Sequence, residues 1–425
     1  MVCVVKRLLR GSAAASACAA ALLCAAPAYG DPSLLSPDTV QLTGDFRLVG
    51  VDGEPSWVDG AFGKLRSGST GDFSIQPQLG NVSLAWQPHF TWSLGATVVG
   101  VVEGGQRTQA GLSQAFLTYK PMRSTNVALA ARAGLMWPPI SLEHDGADWH
   151  VRDSITPSAI NSWVGEEVRP LAAETTAALK VGRHTLRFTA AAMAANDTAG
   201  TLLTFRGWAL HDRVTLAFNR QPLPPLEGEL EEYQPRFTHP LIDLHSGFAH
   251  RPGYYAKLAW QPPVPIRIEL FRYDNRAQPE DVNEDGEWGW RTRFDQIAAA
   301  ADIAGFQFKT QAMRGTTRMG YTEEGRRWVD ARFRSAYLLA SHPVGKVGLA
   351  ARIEGFDARN RGSLATDEYD ERGWAGMLAA KREWGPVTGL VELLHVSSHR
   401  AERAELGLAP RQRQTQVQAE MRMQW

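Results

Sequence analysis

The stretch from Thr415 to Trp425 reads T-Q-V-Q-A-E-M-R-M-Q-W. Thr415, Val417, Ala419, Met421, Met423 and Trp425 alternate with Gln416, Gln418, Glu420, Arg422 and Gln424. Successive side chains point to opposite faces of a strand, so this period of two makes one apolar and one polar face. In a soluble sandwich the apolar face would be core. Strands of about 9–11 residues with one face to lipid and the other to a polar interior are the unit of a transmembrane β-barrel.

The same beat runs backward through the chain. Val40, Leu42, Gly44, Phe46 and Leu48 oppose Gln41, Thr43, Asp45 and Arg47, and Val127, Leu129, Ala131, Ala133 and Leu135 share a face opposite Arg132. Proposed strands pair around short turns at Gln87-Pro88-His89, Gly182-Arg183, His211-Asp212, Pro262-Pro263, Ala301-Asp302, His342-Pro343 and Gly385-Pro386. Longer connections alternate with them: 50–71, 103–109, 137–170, 194–200, 220–252, 275–287, 314–326, 358–371 and 398–413. Short turns at one mouth and long loops at the other are the habit of outer-membrane barrels. The expectation is an all-β antiparallel barrel of about eighteen strands, or sixteen if the weak 201–219 region is merged, with both ends on the periplasmic side. Trp86, Trp92, Trp260, Trp288, Trp290, Trp328, Trp374, Trp384 and Trp425 fall near strand ends, where indoles suit the headgroup level.

The first thirty residues read as a cleaved secretory signal. Lys6, Arg7 and Arg10 precede a small-residue apolar run from Gly11 to Ala26, with small residues for cleavage at Ala26-Pro27-Ala28 or Ala28-Tyr29-Gly30. All three cysteines (Cys3, Cys18 and Cys24) lie there, so residues 31–425 offer no disulfide, thiolate nucleophile or Cys-ligated zinc. Without the three signal cations, 42 basic residues face 45 acidic ones, a balance that does not point to nucleic acid. No apolar run of about 18 residues follows, so membrane-spanning helices are not expected. Residues 31–425 read as one barrel.

Parity then assigns a lumen. Arg132, Arg267, Arg291, Arg293, Lys309, Arg332, Arg334 and Arg352 fall opposite apolar neighbours and are the candidate pore-lining residues. Asp295 and Asp330 share their faces, as do Glu269 and Glu354. An excess of cations on a pore wall favours anions by Coulomb attraction. The alternative is a set of Arg–carboxylate pairs across strands that stiffens the wall and selects nothing. The connection 137–170 is too long for structureless filler. Its Ser158–Val168 portion has room for a short helix, and Glu166, Glu167 and Arg169 are candidates to narrow the channel if the loop enters it. An extracellular cover is the other reading.

Gly134-Leu135-Met136-Trp137-Pro138-Pro139, followed by Trp163-x-Gly165-Glu166-Glu167-x-Arg169, resembles the porin O and P group of phosphate-selective outer-membrane porins. The likeness covers about 40 residues and is loose. It implies a trimeric, sixteen-stranded anion channel, with small hydrophilic solutes, lipid and two further copies as partners; the family's phosphate ladder has no residue-by-residue match here. The aromatic end of the last strand is similar to the terminal signature of outer-membrane proteins. Asp281-x-Asn283-x-Asp285-Gly286 resembles the start of an EF-hand loop, but Thr292 stands where a bidentate Glu is needed, so no metal is expected. His144, Asp145, His150, Asp153 and Ser154 would be the raw material of a hydrolase triad, without a Gly-x-Ser-x-Gly elbow. No P-loop, His-Glu-x-x-His or dinucleotide motif occurs and no cofactor is expected. The reading is a passive channel; a barrel enzyme with a loop-borne site and a closed structural barrel are the alternatives.

Overall fold

The computed structural model describes residues 39–425, except 70, 105–107, 122, 123, 125, 194–196, 226–231 and 242–250. The signal segment therefore lies outside the described residues. Sixteen antiparallel strands close into a barrel. They are β1 Val40–Gly53, β2 Gly71–Trp86, β3 Leu94–Glu103, β4 Ala110–Tyr119, β5 Val127–Leu135, β6 Leu171–Val181, β7 His184–Met193, β8 Gly253–Gln261, β9 Ile266–Asp274, β10 Arg291–Ile303, β11 Phe306–Glu323, β12 Arg326–Val344, β13 Val347–Asn360, β14 Glu371–Trp384, β15 Val387–Arg400 and β16 Arg411–Gln424. The terminal strand closes the ring on the first, from Thr43↔Gln424 to Val51↔Gln416. Closure leaves no open edge, which a lipid environment demands because nothing there replaces a missing hydrogen bond.

Sixteen, not eighteen, is the count because 201–219 contributes nothing to the wall. That segment holds helix α2 (Thr201–Phe205; α1 is given below) and buried coil. The connection expected over 314–326 is also absent: β11 and β12 run on to a two-residue turn at Glu324-Gly325. The turn between β10 and β11 is Ala304-Gly305, with both residues at positive φ (52° and 82°), the primed-turn geometry that matches strand twist. It sits beyond the Ala301-Asp302 turn predicted, because the alternation continues to Ile303.

The wall is uneven. Strands β3 to β9 have 9–11 residues, while β10 to β16 have 13–19. We call these the low and the tall wall. Large apolar side chains cover the outside: Phe46, Ile75, Phe188, Ile297, Ile353 and Met421 are 45–65% exposed. Trp92, Trp260, Trp384 and Trp425 are exposed beside the short turns and the terminal strand's end, as an aromatic girdle requires. Trp288, Trp290 and Trp328 are not part of a girdle. They are buried at the opposite end with Phe62, Phe205, Met319 and Tyr369.

Candidate functional site: the occupied lumen

Three connections turn inward. Residues 54–69 approach 206–212, with Leu65 bridged to Leu210. Residues 136–170 carry a small ladder (His144–Asp145 with His150–Val151) and helix α1, Ala159–Glu167. Ser158 caps α1 by accepting from the Asn161 N–H, the usual answer to unsatisfied N–H groups at a helix start. Every residue of α1 is buried. The third segment, 197–225, is buried along most of its length.

A loop inside a barrel must find partners for its backbone, since buried N–H and C=O groups are rarely left unpaired. The tall wall supplies them. The Glu392 carboxylate accepts from the N–H groups of Ile155 (2.8 Å) and Thr156 (2.9 Å). Glu354 accepts from Ala159 N–H at 2.7 Å. Arg352 donates to the carbonyls of Thr156 and Pro157 and pairs with Glu143 at 3.0 Å and Glu354 at 2.9 Å. Above this polar tier the contact is apolar. The Trp163 ring lies 5.4 Å from Phe294, 5.2 Å from Phe333 and 6.1 Å from Trp208.

The second and third inward segments are also tied to each other. Arg206 grips Glu166 with two bonds of 2.8 and 2.6 Å, and His211 approaches the same carboxylate at 3.1 Å. Burial alone would raise the Glu166 pKa, but Arg206 and His211 outweigh it and hold the carboxyl down to about 2. Glu167 has no such cation. It accepts from the N–H groups of Gly200 (2.9 Å) and Leu202 (3.1 Å) and from the Trp163 indole (2.6 Å), and burial pushes it up to about 8. Asp197, bonded to Asn275 and to Ala199 N–H, is pushed up to about 7 by burial. Arg169 bonds to the Thr215 carbonyl and lies over the Trp137 ring, and burial lowers it to about 9. Glu166, Glu167 and Arg169 are thus buried ties between segments.

The eight wall candidates divide. Arg132, Arg267, Lys309 and Arg352 are on the lumen face. Arg132 pairs with Glu174 at 2.7 Å, Arg267 with Glu269 at 3.0 Å and Lys309 with Asp153 at 2.6 Å. Arg291, Arg293, Arg332 and Arg334 are on the outer face, a correction to the parity assigned from sequence. In β10 the buried positions are Thr292, Phe294, Gln296 and Ala298, and in β12, beyond Trp328 at the long-loop end, they are Val329, Ala331, Phe333, Ser335, Tyr337 and Leu339. Apolar residues face inward there because the lumen is filled by Trp163, Trp208 and their neighbours, so the rule that apolar means lipid inverts.

Near its short turns the low wall is more open. Thr185, Arg187 and Thr189 alternate with outward Leu186 and Phe188, and Arg187 and Lys180 are exposed on the lumen face. These two were missed, although the Thr-Leu-Arg-Phe-Thr alternation contains the signal. At the short-turn mouth a 370 Å³ vestibule is lined by Arg152, Arg267, Asp302 and Lys309, with Glu143, His144 and Asp145 from the inward loop. Against the tall side, the gap among Asp45, Arg47, Asp148, His150, Asp212 and Arg422 is only about 30 Å³, roughly the volume of one water.

The hydrolase candidates do not assemble. Ser154 donates to the Thr156 carbonyl, Asp153 pairs with Lys309, and His150 pairs with Asp148. His144 stacks on Trp149 and contacts Ser141 at 2.9 Å in a local turn. In the EF-like stretch Asn283 closes a turn by accepting from Asp285 and Glu287 N–H. Ligand atoms of His239, Asp285 and Glu287 come within 4.8 Å of one another, but Glu287 is already bonded by His239 at 2.7 Å.

No protein-family model matches the chain, and no curated protein is similar to it in sequence. Solved structures do match. The outer-membrane channel DcaP of Acinetobacter baumannii superimposes with a TM-score of 0.54 at 9% identity, over 92% of this chain and 99% of that one. An anion-selective porin from Comamonas acidovorans gives 0.50 at 11% identity, over 91% and 99%. The fold is that of the porins. At such identities the likeness is one of architecture, and the narrower resemblance to phosphate-selective porins rests on the sequence stretches alone.

Proposed function

We propose that this protein is an outer-membrane channel for small hydrophilic solutes, in which the inward segments confine passage to the low-wall side of the lumen. The observation that carries this reading is the contrast within the lumen: seated backbone along the tall wall, exposed Lys180, Arg187 and Arg267 at the short-turn end of β6, β7 and β9. Arg132, Lys180, Arg187, Lys257 and Arg267 on that arc face only Glu174 and Glu269, which favours anions. The reading takes further support from the two similar structures, one an outer-membrane channel and the other an anion-selective porin. The dispersal of the Ser, His and Asp candidates speaks for conduction rather than catalysis. A homotrimer would pack on the outside of β2 to β8, which present no outward carboxylate or cation among the described residues.

The test is single-channel recording of the refolded chain in a planar bilayer under a salt gradient. Small discrete steps with an anion-directed reversal potential support the proposal. A folded barrel that never conducts sinks it and moves the closed structural barrel forward.

A further inference from the structure

The arginines that left the lumen form a surface of their own. Strand pairing aligns Arg272, Asp295, Arg314, Arg334, Asp357 and Arg372 in one row across the outside of β9 to β14. The next row toward the long-loop end holds Asp274, Arg293, Thr316, Arg332 and Arg359, with Asp274 engaged by Arg291 at 3.6 Å. Within these rows Arg272 pairs with Asp295 at 2.9 Å, and Arg334 and Arg359 both reach Asp357. Arg293, Arg314, Arg332 and Arg372 have no carboxylate partner among the described residues. Arg293 has only the Thr316 hydroxyl, at 3.2 Å.

This patch intrudes on the height that lipid should cover. Outward residues of β16 stay uncharged from Thr415 to Trp425, about 33 Å of strand at ~3.3 Å per residue. On β11 the outward set is Phe306, Phe308, Thr310 and Ala312 before Arg314 breaks it, about 20 Å of strand. With strands tilted ~40°, the second run falls short of the ~25 Å apolar band of such barrels. Cations at that depth need an anion beside them. Directly below, the surface is hollow. Two depressions of about 680 Å³ each meet at Asp295, Arg314, Arg334 and Asp357. The lower one is floored by Ala312, Ala336 and Gly355 and flanked by Leu270 and Ile297.

Among the described residues, the outer face of β2 to β8 in another copy of this chain offers no anion. Glu103 and Glu174, the described carboxylates of β2 to β8, are both buried on the lumen side, so packing the patch on that wall would leave its arginines unmatched. Patch on patch would oppose like charges. The geometry points to a phosphorylated, multiply acylated lipid of the outer leaflet, its phosphates on Arg293, Arg314 and Arg332 and an acyl chain in the hollow over Ala312, Ala336 and Gly355. Guanidinium forks suit phosphate oxygens, and flat small residues leave room for a chain.

Native mass spectrometry of the full chain in detergent, titrated with diphosphorylated hexa-acyl lipid A, tests this. The triple variant Arg293→Gln, Arg314→Gln, Arg332→Gln should bind at least about tenfold more weakly, and removing the lipid's phosphates should do the same. Arg382→Gln, on the outer face near the opposite mouth, should bind like the parent. Millimolar inorganic phosphate should not displace the lipid. Since these side chains point away from the packed interior, the triple variant should keep its heat-modifiable barrel; if it does not, Arg314→Lys with Arg332→Lys, which keeps the charge but loses the fork, must still weaken binding. Equal binding by dephosphorylated lipid, or displacement by free phosphate, overturns the proposal. So does loss of a native oligomer in the triple variant, which would make the face a subunit contact.

Discussion

The low wall near its short turns and the tall wall near the long loops are built from the same alternating strands and yet present opposite chemistry. On the low wall Leu186 and Phe188 face out while Thr185, Arg187 and Thr189 face in. On the tall wall Phe333 faces in while Arg332 and Arg334 face out. The difference lies in what each inner face meets. Trp163 and Trp208 press on Phe333, whereas exposed Arg187 meets solvent. A strand in this protein is patterned against its two neighbours in space, and lipid is only one of the candidates for an apolar face.

Four perturbations break or sharpen that contrast. Glu166→Ala should be the most damaging, because it strands Arg206 and His211 without a counter-charge in a buried site; breaking such a pair costs about 3–5 kcal/mol. Hydrogen exchange of 155–167 should accelerate by about a hundredfold or more, and single-channel conductance should rise as the segments detach. Next, Phe333→Ala should cost about 3 kcal/mol in the same exchange measurement through lost contacts under Trp163. Its sequence neighbour Arg332→Ala, pointing outward, should stay within about 0.5 kcal/mol in detergent.

Alkaline pH should act more gently. Glu167 and Asp197 have pKa values raised in the folded chain to about 8 and about 7, so their contribution is complete below the ordinary carboxyl range and is lost as pH rises through 7 to 8. Glu166 has the opposite sign: its contribution is present above its ordinary value and is lost as pH falls toward 2. Conductance should therefore grow between pH 7 and 9, and Glu167→Gln should flatten that rise. A flat wild-type profile would contradict the tie. The smallest effect belongs to Arg187→Ala with Arg267→Ala, which should reduce the anion-to-cation permeability ratio by about twofold, read from the reversal potential.

The terminal strand was legible throughout. Its odd residues face out and its even residues face in, as T-Q-V-Q-A-E-M-R-M-Q-W implies. The same holds for β1, for Arg267 and Glu269, and for Gln307, Lys309 and Gln311. Reading failed where a period of two carries no label for inside and outside. In β10 and β12 either parity satisfies alternation, and only the tertiary partner decides. Segment 201–219 misled for a related reason: an apolar run such as Thr201-Leu-Leu-Thr-Phe205 fits a short strand or a buried helix equally well. The ties from Glu354 and Glu392 to the inward loop span 195 and 237 residues of sequence and leave no local trace.

Single-cysteine labelling measures the contrast most directly, since Cys3, Cys18 and Cys24 are the chain's only cysteines and a chain starting at residue 31 has a clean background. Val164→Cys, placed in α1 at 0% exposure, and Arg187→Cys, on the low wall, would be treated with a membrane-impermeant maleimide in reconstituted bilayers. Fast labelling at 187 with none at 164 is the predicted result. Comparable rates at both positions would mean that α1 is not seated against the tall wall, and the divided lumen would have to be abandoned.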